Sequence, residues 1–540
     1  MKDTTVERIF SAIMEAHFKA TGNTSLLKIH RVVPRATMAI YRNISTTLLP
    51  TTAKTHYIFT MRDIMKILQW IIHGLDKLQN ITSQQLIRLW YHECIRIFGD
   101  KLTNKEDRQL LCDLVVGNCK TFFDYTSATL TNNVIYGEIV VGSTYEELYD
   151  LERYTLTLKN YLHEYNSQNI KPIELYLFRD AIIHIAKLVR TLKQGGSHAL
   201  LLGYSGSGRQ SLTKLACYIA ECELFELSIS RYYGIEEWRE ELKKLLRTAG
   251  LQTKPVVFLF KETHLLNQVF MEDIENLIHN SNVPDLFSSE EIDAINQSLQ
   301  SVSNTSLKSP QDATQLRTGE FMYTKFISQV RQNLHIVVCL DPSTNNFKST
   351  LRMFPSLVTC TTVNWFEPWS AESLQAIARN QLSLSTLDNT LVDKVTNVFV
   401  NIHDIAIQVA SQFQFETRRH VFFNSAKFLE LLNVFVTLLT KKNVEIGGLI
   451  KRLDSGQEKL IAVSRMVSEL QANLQLTMPI LENTKEEVAL LMINLSDKKR
   501  EADATRNLVK EEEALAATEA AAAQSIAESA QAQLSQALPV

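Results

Sequence analysis

Residues 200–212 read LLLGYSGSGRQSL: an apolar run, glycines at Gly203, Gly206 and Gly208, then a helical pattern. Glycines so placed let successive backbone N–H groups converge on an anion, and the following helix adds its N-terminal dipole. The working form of such a phosphate loop is G-x-x-x-x-G-K-S/T, with lysine on the β/γ-phosphates and the hydroxyl on Mg²⁺. Here the lysine position holds Arg209 and the hydroxyl position Gln210, with Ser211 one place further on. A guanidinium keeps the charge but not the compact ammonium. Gln210 cannot supply a hydroxyl, and Ser211 reaches a cation only if the helix start shifts. Gly203, Ser205, Gly206, Ser207, Gly208, Arg209, Gln210 and Ser211 are the candidate phosphate-contacting residues. A ligand-free glycine turn between strand and helix would carry the same glycines, so context decides.

About fifty residues on, PVVFLFKET (255–263) is a second apolar strand ending in Glu262. That is the place of the carboxylate that holds Mg²⁺ in phosphate-loop enzymes. Ser211 and Glu262 are therefore the candidate Mg²⁺ ligands. Thr263 stands where AAA+ ATPases carry the glutamate that polarises water, and threonine is no base near neutral pH. A third strand, LHIVVCLDPS (334–343), falls where a sensor strand is expected but has no asparagine at its tip. These residues predict a loop that binds ATP or ADP, with hydrolysis unsupported.

The elements that must position the loop follow from pattern. Residues 1–130 are helical, with i, i+3, i+4 apolar spacing in IMKILQWIIHGL and QQLIRLWYHECIRIF. Residues 131–370 alternate strands and helices, which implies an α/β fold with a parallel sheet and helices on both faces. Within it, NVIYGEIVVGSTYEEL is β-like, and IELYLFRDAIIHIAKLVRTLKQ reads as one long helix ending at Gly195-Gly196. Residues 371–440 return to helix. From 441 to 540 a column recurs every seven residues: Leu453, Leu460, Val467, Leu474, Leu481, Val488 and Leu495, continued by Ala502, Val509, Ala516, Ala523, Ala530 and Ala537. Such a column predicts a coiled-coil helix roughly 130 Å long from Leu453 to Leu538. Pro479 should kink it or loosen one turn, and the partner helix is missing.

Composition narrows the classes. The 540 residues, 45% apolar and 21% charged, fit an ordinary globular protein of several domains. A net charge of −3 provides no basic excess for nucleic acid. The seven cysteines are scattered without a C-x-x-C pair and read as reduced thiols. No stretch is apolar enough for a signal peptide or a membrane span, so neither nucleic acid nor membrane is an expected partner.

The stretches ELYLFRDAIIHIAKLVRTL, HALLLGYSGSGRQSLTKLA, GIEEWREELKKLL, FLFKETHLLNQVFMEDIENLIHNSNVPDLF and LRMFPSLVTCTTVNWFEPWSAESL resemble the fourth AAA+ module of a dynein heavy chain. The G-x-x-x-x-G-R-Q-S form is similar to the axonemal type. Upstream, LLPTTAKTHYIFTMRDIMKILQ and LIRLWYHECIRIFGDKL resemble the helical small subdomain closing the third module. Downstream, residues 458–495 and the final ALPV resemble the outgoing helix of the microtubule-binding stalk. The resemblance spans nearly the whole chain. It implies that 1–130 ends a third module, 131–370 and 371–440 are the large and small subdomains of a fourth, and 441–540 is the stalk helix.

The same resemblance assigns Arg352, in LRMFP, as a candidate arginine finger for the preceding module's nucleotide, and Arg62, in FTMRD, as a sensor-type arginine. Read alone, both could equally be surface or capping cations. Departures are Glu262 for the family's aspartate, Thr263, and RRHVFFNSAKFLE where a Thr-Pro is usual; they bear on catalysis, not on fold. What is implied is a nucleotide-binding regulatory module and stalk segment of a minus-end-directed microtubule motor of the ciliary or flagellar axoneme, in cytoplasm and cytoskeleton. Implied partners are the remaining AAA+ modules and the return stalk helix, with microtubules reached through a missing tip and intermediate and light chains through a missing tail. The chain then resembles a fragment lacking the main ATPase site. A weak ATPase, or a structural protein associating through its coiled coil, are the alternatives.

Overall fold

The computed structural model describes residues 3–536, apart from 21–25, 27–28, 53, 77–81, 125–133, 139–144, 149–150, 253, 305–318, 345, 384, 386 and 420. By its contacts the chain forms two compact units, Met1–Thr437 and Leu438–Val540.

The first unit opens with five helices: α1 (Asp3–Ala20), α2 (Val32–Thr47), α3 (Met61–Asp76), α4 (Ser83–Gly99) and α5 (Lys105–Phe123). Their apolar stripes close on one core around Ile64, Ile71, Trp90, Phe98 and Val115. A capping box starts α4: the Thr82 hydroxyl accepts from the Gln85 amide, and the Gln85 side chain accepts from the Thr82 amide. The β-like stretch that follows yields a two-residue antiparallel ladder, β1 (Tyr136–Gly137) with β2 (Glu146–Glu147). The expected 130/131 boundary and residues 139–144 lie outside the described residues.

Helices α6 (Leu151–Gln168) and α7 (Arg179–Lys193) lead into a five-stranded sheet. Its strands are β3 (His198–Leu202), β4 (Glu223–Glu226), β5 (Val256–Lys261), β6 (Leu334–Leu340) and β7 (Thr361–Trp365), in the order β4-β5-β6-β3-β7. Every pairing is parallel. Alternation divides the side chains between two cores. Leu200, Leu202, Phe258, Phe260, Ile336 and Val338 pack with Trp238 and Phe270, while Ala199, Leu201, Val257, Leu259 and Val337 pack with α7 and with α8 (Arg209–Ile219). Burial on both faces is why these strands read as continuous apolar runs. Between the strands lie α9 (Ile235–Leu251), α10 (Gln268–Asn280), α11 (Ser289–Asn304), α12 (Gly319–Asn333), α13 (Phe347–Met353) and α14 (Ser356–Thr359).

One expected helix starts later than its pattern suggests. Residues 173–178 are not helical; Phe178 is extended (φ −111°, ψ 171°), and α7 begins at Arg179. Strand β4 has no forerunner in the sequence reading, because its four residues, ELFE, place a glutamate at each end and show no apolar period.

A small core of Leu374, Leu382, Val392, Phe399, Phe428 and Leu432 gathers α15 (Ala371–Ser383), α16 (Asn389–Thr417) and the first turns of α17 (Ser425–Gln536). Helix α17 runs without a break through Pro479 and through the expected 440/441 boundary. In the second unit the column members Leu453 to Leu495 are all exposed. Among the described residues no helix is long and apolar enough to cross a membrane.

A buried ionic joint links α4 to α7. Glu93 accepts from Arg96 Nη2 at 2.5 Å and from the Tyr145 hydroxyl at 2.5 Å, and Arg190 Nη1 lies 3.8 Å from it. Arg190 also covers the Trp70 ring at 5.3 Å. Burial pushes the Glu93 carboxyl up, but the Arg96 and Arg190 guanidiniums outweigh that and hold it at about 2.

Candidate functional site

The glycine loop springs from β3, next to the centre of the sheet. Parallel register brings the carboxyl ends of β3, β6 and β5 together, with Leu202 beside Leu340 and Lys261 beside Cys339. Open α/β sheets bind ligands outside these carboxyl ends. The loop backbone has the conformations its glycines permit: φ is +83° at Gly206 and +88° at Gly208, which is the N-cap of α8. A Cβ at Gly203 would stand 2.7 Å from Phe366 Cβ, so that glycine allows close packing of the loop on the end of β7.

Beside the loop lies a cavity of about 880 Å³ whose walls include Ser205 to Leu212. Its other walls include Leu175, Tyr176, Phe178, His184, Phe366 and Trp369. Here the extended residues before α7 find their use as wall. The His184 ring stacks on Phe366, centroids 4.1 Å apart, and its Nδ1 meets Asn364 Oδ1 at 2.8 Å. Burial, with the Lys187 charge adding to it, pushes His184 down to about 3, so its ring is neutral. Tyr91, Ile95, Asp100, Arg108 and Cys112 of the helical part also line this cavity. They are tied across it by Lys187 to Asp100 at 2.6 Å and by Arg108 to Glu367.

The cavity fits a nucleotide. Its volume falls within the usual range for small-molecule sites. A glycine cradle with two positive φ angles opens a helix, and the Ser207 hydroxyl within it is buried without a hydrogen-bond partner. The charged side chains are engaged elsewhere. Arg209 Nη1 donates to the Leu340 carbonyl at 2.6 Å. Asp341, the next residue, accepts the Ser205 amide at 2.8 Å. Glu262 accepts the Asp341 amide at 3.0 Å and the Thr344 hydroxyl, and does not line the cavity. Thr263 is exposed in the turn after β5, whereas Gln210 and Ser211 line the cavity. Among the described residues no group of three or more His, Cys, Asp or Glu is placed to hold a metal ion.

Arg62 and Arg352 are not part of this cavity. Both are exposed; Arg62 donates to Cys360 Sγ, and Arg352 sits in the last turn of α13. Sequence reasoning missed Asp341 as a partner of the loop. It also missed Asn424, whose Nδ2 donates to the Ser205 carbonyl while its Oδ1 accepts the Lys427 amide at the start of α17. The contact of Gly206 with Ala426 belongs to the same docking. The only sequence signal was RRHVFFNSAKFLE itself, where asparagine stands at a helix start.

A parallel sheet with this strand order and a glycine loop feeding a helix define a P-loop module of the AAA+ class. Residues 173–438 match the family model described as the P-loop containing dynein motor region D4, and residues 33–133 match an AAA+ lid domain. The chain is 33% identical over 547 residues to dynein axonemal heavy chain 1 of Rattus norvegicus, covering 98% of this chain and 12% of that one. It is 32% identical to dynein axonemal heavy chains 6 and 3 of Homo sapiens, over 97% and 100% of this chain and 13% of each relative. The chain belongs to the dynein heavy chains of axonemal type, and spans about an eighth of the length of these relatives. Its P-loop module is of the nucleotide-binding kind.

Proposed function

We propose that the chain supplies the fourth AAA+ module of an axonemal dynein motor and the root of its outgoing stalk helix, and that the module holds an adenine nucleotide without hydrolysing it. The observation that carries this reading is an intact glycine cradle whose catalytic side chains are absent or engaged. Loop amides and the α8 dipole supply phosphate affinity. Leu175, Tyr176, Phe178 and Trp369 give the base an apolar surround. Turnover needs a placed Mg²⁺ and a polarised water. Ser211 and Glu262 are the groups that would serve Mg²⁺, and Thr263 cannot polarise water.

In the parent motor such a module acts as a regulatory ligand site. The parent would be a minus-end-directed microtubule motor of the ciliary or flagellar axoneme, within cytoplasm and cytoskeleton. Its partners would be the other AAA+ modules, the return stalk helix, microtubules, and intermediate and light chains. Arg352 would act as a finger on the preceding module's nucleotide, with Arg62 as that module's sensor.

The test offers labelled ATP to the full chain at saturating concentration and recovers the bound nucleotide after repeated half-hour intervals. The expected result is retained nucleotide with no ADP accumulating. ADP formed in multiples of the chain concentration overturns the non-hydrolysing reading, and no retained nucleotide overturns the site.

A further inference from the structure

We propose that Asp341 makes this site select a nucleoside diphosphate over the triphosphate; this rests on the nucleotide-binding reading above. In a phosphate loop, the residue at position 209 addresses the β/γ-phosphates. The Arg209 guanidinium here ends at the Leu340 carbonyl, one peptide bond from Asp341. The β/γ end of the loop is thereby the end at which Asp341 stands.

Asp341 is anchored there through both of its carboxyl oxygens. Its Oδ2 accepts the Ser205 amide at 2.8 Å, and its Oδ1 accepts the Ser343 amide at 2.9 Å and the Ser343 hydroxyl at 2.5 Å. A carboxylate already occupies a loop amide of the kind that otherwise turns to phosphate. Glu262 stands directly behind, bonded to the Asp341 amide and the Thr344 hydroxyl. Two carboxylates thus stand together where Asp341 joins the loop at Ser205, while the Arg209 guanidinium is spent on a backbone carbonyl.

A third phosphate would bring further negative charge against this pair, in a partly buried place where like charges are poorly screened. A diphosphate stops short of it. Magnesium offers limited relief, because Gln210 supplies no hydroxyl to hold it at the loop. The device lies in the CLDPS sequence and needs no hydrolysis.

Fluorescent-nucleotide displacement on the full 540-residue chain, in excess Mg²⁺, reads both affinities under the condition kindest to the triphosphate. ADP should bind about tenfold tighter than ATP or better. Asp341→Asn keeps an acceptor for Ser205 and should tighten ATP with little change in ADP, bringing the two within about threefold. Asp341→Ser replaces it where the asparagine variant does not fold. Equal affinities in the wild-type chain overturn the selectivity and leave nucleotide binding standing. A wild-type preference unchanged in a folded Asp341 variant overturns the role of this residue. Failure of both nucleotides to bind the wild-type chain overturns the site reading together with this one.

Discussion

Gly206 is the residue on which the loop turns. Its φ of +83° suits glycine, and a Cβ there would collide with Ala426 Cβ at the start of α17. Gly206→Ala should cost about 1–3 kcal/mol of stability and remove nucleotide retention, read by urea unfolding and by the displacement titration. A variant that binds as the wild type does would mean that the loop tolerates a different backbone path. Restoring chemistry is harder than removing binding. Arg209→Lys with Gln210→Ser should strengthen the Mg²⁺ dependence of binding, but phosphate release should remain at background until Thr263→Glu is added. Turnover by the double variant alone would show that another group polarises water. The glycines were legible in the sequence because spacing encodes backbone geometry. The destinations of Ser205 and Arg209 were not, since their partners lie 136 and 131 residues away and depend on β6 being the neighbour of β3.

At the scale of elements, the sheet and the α4–α7 joint set how the site responds to mutation and pH. Strands β3, β5 and β6 were legible as apolar runs, whereas β4 and the extended residues before α7 were not. An edge strand of four residues has no period to read, and 173–178 continue a helical spacing that the cavity wall overrides. The joint depends on opposite charges enclosed together. Arg190→Met removes one guanidinium from the fully buried Glu93 carboxylate and should destabilise the first unit by about 3 kcal/mol. A loss below about 1 kcal/mol in urea unfolding would show that Arg96 alone satisfies Glu93. Buried histidines add a pH dependence of definite sign. Burial lowers His92, His184 and His198 to about 3 and His56 to about 4. Below an unfolded value near 6.5 the unfolded chain takes up protons that the native chain refuses, so stability falls with falling pH towards the native values. Unfolding midpoints should therefore decline from pH 7 to pH 4.5. A flat profile over that window would mean that these rings find protonated states in the native fold.

For the molecule as a whole, the defining feature is that α17 takes in 112 residues with no apolar stripe covered in its second-unit part. The column Leu453, Leu460, Val467, Leu474, Leu481, Val488 and Leu495 keeps a strict seven-residue repeat, and each member is exposed. A helix of this kind in water gains little from propensity alone and draws its stability from an apolar seam packed against another helix. Burial of each leucine or valine contributes about 1.5–3 kcal/mol, so covering this exposed column strongly favours association. Within a complete motor the resemblance supplies an antiparallel return helix; for the 540-residue chain the available partner is a second copy. Sedimentation velocity should therefore show association that grows with concentration. Leu474→Glu with Leu481→Glu places two charges in the middle of the seam and should return the chain to monomer without affecting nucleotide binding in the first unit. Truncation after Lys441 should have the same effect on sedimentation. A wild-type chain that remains monomeric at all concentrations, with slowly exchanging amides across residues 453–495, would show that the helix stands without a seam partner.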